Sequence, residues 1–226
     1  MFDVFGTTCE KGCASPRKQP HRGARQVQDF MCRQANPHAL FHDLVPQPGR
    51  LSKPMIFQRL FRKEASPARR LYAPIVAAAR HPVFYADWGA PDTVDGRFDL
   101  LVLHLYLVLE RLKGGNEELR QALVDEFFAD MDRSLREMGV GDLSVGKKVR
   151  KMAESVYGRI NAYETAQSEG HDAFVAALAR NVFPDGTPAG AAERLAGYAG
   201  QVQMELQAQS VESLMAGTLS IPEPRS

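Results

Sequence analysis

The sequence predicts an all-α fold: a single compact bundle of about six to seven helices with a central apolar helix, preceded by a disordered N-terminal extension. Three observations carry this. From Met55 onward apolar residues recur at helical spacing, and no segment alternates as a strand does. One segment, residues 97–113, is apolar on nearly every side. Residues 1–54 instead hold Pro16, Pro20, Pro37, Pro46, Pro48 and Pro54, few large apolar side chains and no sustained period, which argues against a packed core.

The expected division is therefore 1–54, a disordered extension or a mis-assigned start, and 55–226, the helical domain. Met55 to Lys63 opens as an amphipathic beginning would, which motivates the second reading of the extension. The extension is basic, with 8 Lys/Arg against 4 Asp/Glu, leaving 20 against 23 in the domain. It also holds all three cysteines, Cys9, Cys13 and Cys32, so the domain has no means of forming a disulfide or thiolate metal site, and a reducing compartment fits. A transit peptide is a competing reading of the leader; Asp3, Glu10, Asp29 and Asp43 stand against it. Cys9 and Cys13 with His21, or Cys32 with His38 and His42, match no standard zinc spacing and read as unstructured thiols.

In chain order, a short helix is expected at about 55–64 and a second at about 67–80. Pro67 suits the first turn of the second helix, whereas Pro74 should kink it or end it early. His81 to Pro91 reads as an ordered loop whose aromatic residues need a place to pack. The helix at 97–113 carries Phe98, Leu101, Val102, Leu105, Tyr106, Val108, Leu109 and Leu112 on one broad face. Its remaining arc is Leu100, Leu103 and Leu107 between two thin polar stripes, Asp99 with Glu110 and His104 with Arg111. Gly114-Gly115 ends it. Asn116 caps the next helix, with a stripe running from Leu119 to Met138. After the Gly139-Val-Gly141 break, Ser144 is the expected cap of a fifth helix with Val145, Val149, Met152, Val156, Ile160 and Tyr163 inward. A sixth runs from His171 to Phe183 and stops at Pro184-Asp-Gly. A last one covers about 189–216, with a Gln-rich second half that should pack loosely or against a partner.

Composition excludes several classes. The net charge of +1 gives no strong overall field for nucleic acid or anionic lipid, so partners must be chosen by local patches. The longest apolar run, Leu100 to Leu109, is broken by His104 and falls short of the roughly 20 residues of a membrane span. No secretory signal opens the chain. The expected location is cytoplasmic, with peripheral contact at the cytoplasmic face of the inner membrane allowed.

Candidate chemistry is sparse. His104 has only Leu100, Leu101, Leu107 and Val108 as helical neighbours, none able to ligate a metal or relay a proton, so a hydrogen-bonded core group is the favoured reading; with Arg111 it suggests two polar heads facing one groove. Asp125, Glu126, Asp130 and Asp132 alternate with Arg120, Arg133 and Arg136, the pattern of a solvated face, and no Glu-x-x-His offers a di-iron site. Lys147, Lys148, Arg150 and Lys151 crowd a helix N-terminus, where each exposed cation opposes the dipole by ~0.3–1 kcal/mol. That cost points to an acidic or phosphate-bearing partner; pairing of Glu154 with Arg150 and Lys151 is the alternative. Gly158, in mid-helix, reads as a site of close helix approach. No phosphate loop, nucleophile elbow or zinc-protease motif is present, so an enzyme is not expected and no cofactor is assigned.

The order Trp88, Gly96-Arg-Phe-Asp-Leu100, His104, Arg111-Leu112, Phe127-Phe-Ala-Asp-Met-Asp132, Arg136-Glu-Met-Gly-Val-Gly-Asp-Leu143, Lys147-Lys148, Tyr157-Gly-Arg159 and Tyr163 resembles the ubiquinol–cytochrome c chaperone family over about residues 56–216. The resemblance implies an all-helical assembly factor for the respiratory cytochrome bc1 complex, of the kind found in mitochondria and alpha-proteobacteria. Its implied client is newly made cytochrome b at the inner membrane; a ribosome or small helper protein is a further implied partner, and DNA is not. The family supplies no catalytic residues. The expected client-binding set is Phe98, Asp99, His104, Arg111, Lys147, Lys148, Lys151, Tyr157 and Arg159, with His104, Arg111 and the basic cluster edging an apolar groove and meeting polar loops or haem propionates of the client. Met131, Met138, Met152 and Phe128 are available as adaptable lining. The alternative is a helical small-molecule or nucleic-acid-binding module built on the 147–151 cluster.

Overall fold

Local signals start and stop most of the helices of this computed structural model, which describes residues 65–225. The expectations for 1–54 and for a helix at 55–64 lie outside the described residues. Helix α1 is Pro67–Ala79, α2 Pro82–Ala86, α3 Val94–Leu112, α4 Glu117–Glu137, α5 Asp142–Glu169, α6 His171–Val182, α7 Ala191–Ala208 and α8 Val211–Met215. Among the described residues no strand occurs, and the all-α bundle around a central apolar helix is what the structure shows.

Several starts follow the expected chemistry. The Ser66 hydroxyl accepts from the Arg69 amide with Pro67 in the first turn, and Asn116 accepts from Leu119 at 2.8 Å. Other elements depart from expectation. Pro74 neither ends α1 nor stops it from reaching Ala79, because Leu71 before it and Ile75 and Ala79 beyond it are buried and their burial offsets the lost backbone bond. The 81–91 segment is not wholly loop: Pro82 opens α2, and His81 Nδ1 accepts from the Val83 amide at 3.4 Å. Helix α5 begins at Asp142, capped by the backbone of extended Gly141 alone and not by Ser144, because the Ser144 and Val145 amides both donate to the Gly141 carbonyl. The single helix expected at 189–216 is two. Gln209 is extended, its side chain is bonded in both directions to the Ser220 backbone at 2.8 Å, and Ser210 caps α8.

Helix α3 touches all five other long helices. Leu100, Val102, Leu103, Leu107 and Val108 have no exposed surface, so each side chain contributes about 1.5–3 kcal/mol of burial. The aromatic residues of the 81–91 segment pack here: Phe84 meets Trp88, Tyr198 and His104 with ring centroids 5.2–5.5 Å apart. Gly96 lets the preceding loop press on α3, since a Cβ would come within 2.1 Å of the Pro91 carbonyl oxygen. Arg111, at the end of α3, donates to the Leu206 and Gln209 carbonyls at 2.7 and 2.9 Å and so closes the C-terminus of α7. Arg70 holds the Ala216 carbonyl in the same way at the end of α8.

Gly158 is exposed, and a Cβ there would meet nothing within 4 Å, so it serves no close helix approach. Gly158→Ala should therefore stabilise the protein by about 0.5–1 kcal/mol, read as a raised thermal midpoint. Arg111→Met should do the opposite, costing about 1.5–3 kcal/mol by leaving the α7 carbonyls unsatisfied; an unchanged midpoint would show that water replaces the guanidinium at no cost.

Candidate functional site

Helices α1, α3, α4 and α5 enclose a groove of about 500 Å³. Val76, Ala79 and Arg80 come from α1; Val94, Asp95, Arg97, Phe98 and Leu101 from the first two turns of α3. Met131, Ser134, Leu135 and Met138 come from α4, and Lys148, Lys151, Met152, Ser155 and Arg159 from α5. The lining is mostly apolar with three methionines, which adapt to irregular shapes. Val94 and Met138 are 70% and 59% exposed, unusual for large apolar side chains on a folded domain.

Arg159 marks the polar point of this lining. Its Nη2 lies 2.7 Å from Asp99 Oδ1, its guanidinium sits 5.6 Å over the Phe98 ring, and Ser155 Oγ accepts from Nη1. Asp99 is 4% exposed, and burial raises its pKa to about 6 against the opposing pull of Arg159. Arg80, Lys148 and Lys151 make no ion pair among the described residues, nor do Lys147, Arg150 and Glu154, so the alternative, pairing of Glu154 with its neighbours, is absent. Arg97 is different, held by Asp92 at 2.7 Å and stacked over Tyr85. The groove is thus apolar, with three cations and Asp95 in its lining unpaired among the described residues.

Of the nine residues expected from the sequence, the structure brings Phe98, Lys148, Lys151 and Arg159 into this lining, with Asp99 behind Arg159. Lys147 and Tyr157 fall outside it; Tyr157 packs on Phe128 with centroids 6.2 Å apart. The expected placement of His104 and Arg111 at the groove edge is corrected. His104 has no exposed surface: Nδ1–H donates to the Leu100 carbonyl at 2.7 Å, which leaves Nε2 to accept from the Tyr198 hydroxyl at 3.0 Å. Burial holds its pKa down at about 4, so the ring is neutral. Arg111 is committed to α7, beside a separate polar pocket shared with Glu110, Gln167, Gln203 and Gln207. The acidic face of α4 is solvated as expected through the pairs Arg133–Asp130 and Arg136–Asp132, but Arg120 is buried. Met131, Met138 and Met152 line the groove, whereas Phe128 is core. The sequence reading missed Arg80 and Val94; the one signal for Val94 was an apolar residue in a first turn off the core stripe.

The described residues hold no group of three or more His, Cys, Asp or Glu able to bind a metal ion, and no helix among them is long and apolar enough to cross a membrane. Fold and groove define the class: an all-α binding domain with an apolar, cation-edged cleft. The chain belongs to the ubiquinol-cytochrome C chaperone family, whose sequence profile matches residues 86–221. It is similar to the ubiquinol-cytochrome-c reductase complex assembly factor 1 of Xenopus laevis, 25% identical over 118 residues, a match that spans 51% of this chain and 59% of the frog protein. It is also similar to the crystal structure of the Cbp3 homolog from Brucella abortus, at 42% identity and a TM-score of 0.62 over 70% of this chain and 89% of that one.

The Asp99 shift has a measurable consequence. The folded protein holds this proton more tightly than the unfolded chain, where the ordinary value is 3.8. The stability it contributes is therefore complete below about pH 4 and is lost as pH rises through about 6. Asp99→Asn should remove that slope, so the variant gains on the parent between pH 4 and 7 in parallel denaturant titrations; a constant difference would mean the carboxyl titrates normally.

Proposed function

We propose that this protein is an assembly factor for the cytochrome bc1 complex and that its groove receives an apolar segment of newly made cytochrome b before that subunit is complete. The single observation that supports this best is the groove itself. An unassembled membrane subunit exposes apolar side chains flanked by polar loops, and a 500 Å³ cleft lined by methionine, valine and phenylalanine with unpaired Arg80, Lys148 and Lys151 at its edge matches both parts. Family membership and the named relatives give the same direction. Phe98 and the methionines take the apolar side chains, Lys148, Lys151 and Arg159 take carboxylates or propionates, and Asp99 positions Arg159. His104 and Arg111 serve the fold, and Lys147 and Tyr157 lie outside the client contact. The work takes place at the inner membrane, with the protein peripheral on its cytoplasmic face and with a ribosome or small helper protein at hand.

A helical nucleic-acid-binding module on the 147–151 cluster is the second reading, favoured by those unpaired cations alone.

Cells lacking the gene should lose spectroscopically intact bc1 complex, and the full chain should restore it. Val94→Glu with Met152→Glu should restore less than about a tenth while keeping the helical circular dichroism of the parent, because two charges in an apolar cleft cost several kcal/mol on binding. Lys148→Glu with Lys151→Glu should weaken cytochrome b capture. Normal bc1 content in the deletion strain, with steeply salt-dependent binding of generic RNA, would remove the assembly reading in favour of the second.

A further inference from the structure

Leu143 is the most exposed large apolar side chain among the described residues. It sits one residue inside α5, directly after the Gly139-Val140-Gly141 turn, with exposed Met138 on the other side of that turn. Helical spacing aligns Leu143 with Lys147, Arg150 and Lys151, all exposed and all without an ion pair among the described residues. Of the acids at this corner, Asp142 is taken up by Arg136, leaving Glu137 and, one turn beyond the cations, exposed Glu154 as local counter-charges. A leucine tip beside three aligned cations is costly on two counts, exposed apolar surface and mutual repulsion.

We propose that the α4–α5 corner docks on an anionic lipid bilayer, with Leu143 inserted at the level of the headgroups and Lys147, Arg150 and Lys151 against acidic phospholipids. Charge complementarity selects this occupant, and the isolated tip refines it. A protein partner would be met by a cleft or a broad apolar face, whereas this corner exposes only Leu143, in the first turn of α5, and Met138 across the preceding turn. Single-stranded RNA would need exposed rings for stacking, and residues 137–151 contain no aromatic side chain. A bilayer accepts a single apolar tip and rewards each nearby cation. The corner adjoins the groove, since Met138 and Lys151 belong to both. Resting on the client reading above, this docking turns the groove mouth toward the membrane from which the client's segments come.

The test is vesicle flotation of the full chain, using phosphatidylcholine alone and phosphatidylcholine with about a third phosphatidylglycerol. The protein should float with the anionic vesicles and remain below with the neutral ones. Lys147→Glu with Arg150→Glu, and separately Leu143→Ser, should each raise the lipid concentration for half-binding by about tenfold or more. None of these three residues lines the groove, so the variants should retain cytochrome b capture in detergent. The Val94→Glu, Met152→Glu protein should do the reverse, floating normally while losing capture, so failure of the docking proposal and failure of the client reading give different results. No flotation of the parent, equal flotation on neutral vesicles, or unchanged flotation of both corner variants would overturn the proposal. So would retention of the parent by generic RNA or by a second copy of itself, lost in the same variants, with no vesicle binding.

Discussion

The rest of the structure depends on the burial of α3 on every side. Apolar packing around such a helix is strong but non-directional, so it does not by itself fix how the neighbours rotate about it. The polar groups caught on α3 do. Asp99 has to find Arg159 on α5, His104 has to find Tyr198 on α7, and Tyr106 donates to Gln167 further along α5. At its C-terminal end Arg111 closes α7, and Lys113 joins Glu110 to Glu164 at 3.2 and 2.8 Å. A slip of α5 or α7 by one residue strands one of these groups at a cost of about 1–3 kcal/mol, which makes them register marks more than sources of net stability.

The same pairs explain where the groove opens. They hold α5 to α3 from Arg159 onward, where Ile160, Tyr163 and Ala166 are fully buried. Upstream the anchoring is sparser: Val145 and Val156 are buried, while Val149 and Met152 between them are only half-buried. Of these two, Met152 faces the cleft shared with the last turns of α4 and the first turns of α3. A fully covered α5 would have no room for a ligand. The groove is thus the part of the bundle where the stripe of α5 outruns the surface available to cover it.

Much of this was legible in the sequence. The stripe from Leu119 to Met138 and the uniform apolarity of Leu100 to Leu109 placed α4 and the centre of the bundle, because long periodic segments leave few alternative packings. The helical neighbours of His104 marked it as a core group, though its alignment with Arg111 also suggested a groove edge that its burial rules out. What escaped depended on contacts between segments distant in sequence. Pro74 breaks a helix only if nothing buries the turn beyond it, and Gln209 interrupts one because Ser220 returns to bind its side chain. Arg111 is aligned with His104 along α3, yet the carbonyls it serves belong to a helix about a hundred positions away. Gly158 gave a signal opposite to its meaning: its cost in a helix suggested compensation by packing, and its surroundings are open.

Net charge conceals the electrostatic organisation. A chain with 28 basic and 27 acidic residues has almost no overall field, so recognition depends on which charges are already spent. Asp130, Asp132 and Glu126 on α4 are neutralised by Arg133, Arg136 and Arg69, and Glu110 and Glu164 share Lys113. Arg80, Lys148 and Lys151 remain unspent among the described residues, beside the groove with its large apolar lining. An exposed pair contributes ~0–1 kcal/mol at most, so the acidic faces gain little stability from their partners. Their larger effect is subtractive: by satisfying each other elsewhere, they leave Arg80, Lys148 and Lys151 uncompensated where apolar side chains are also exposed.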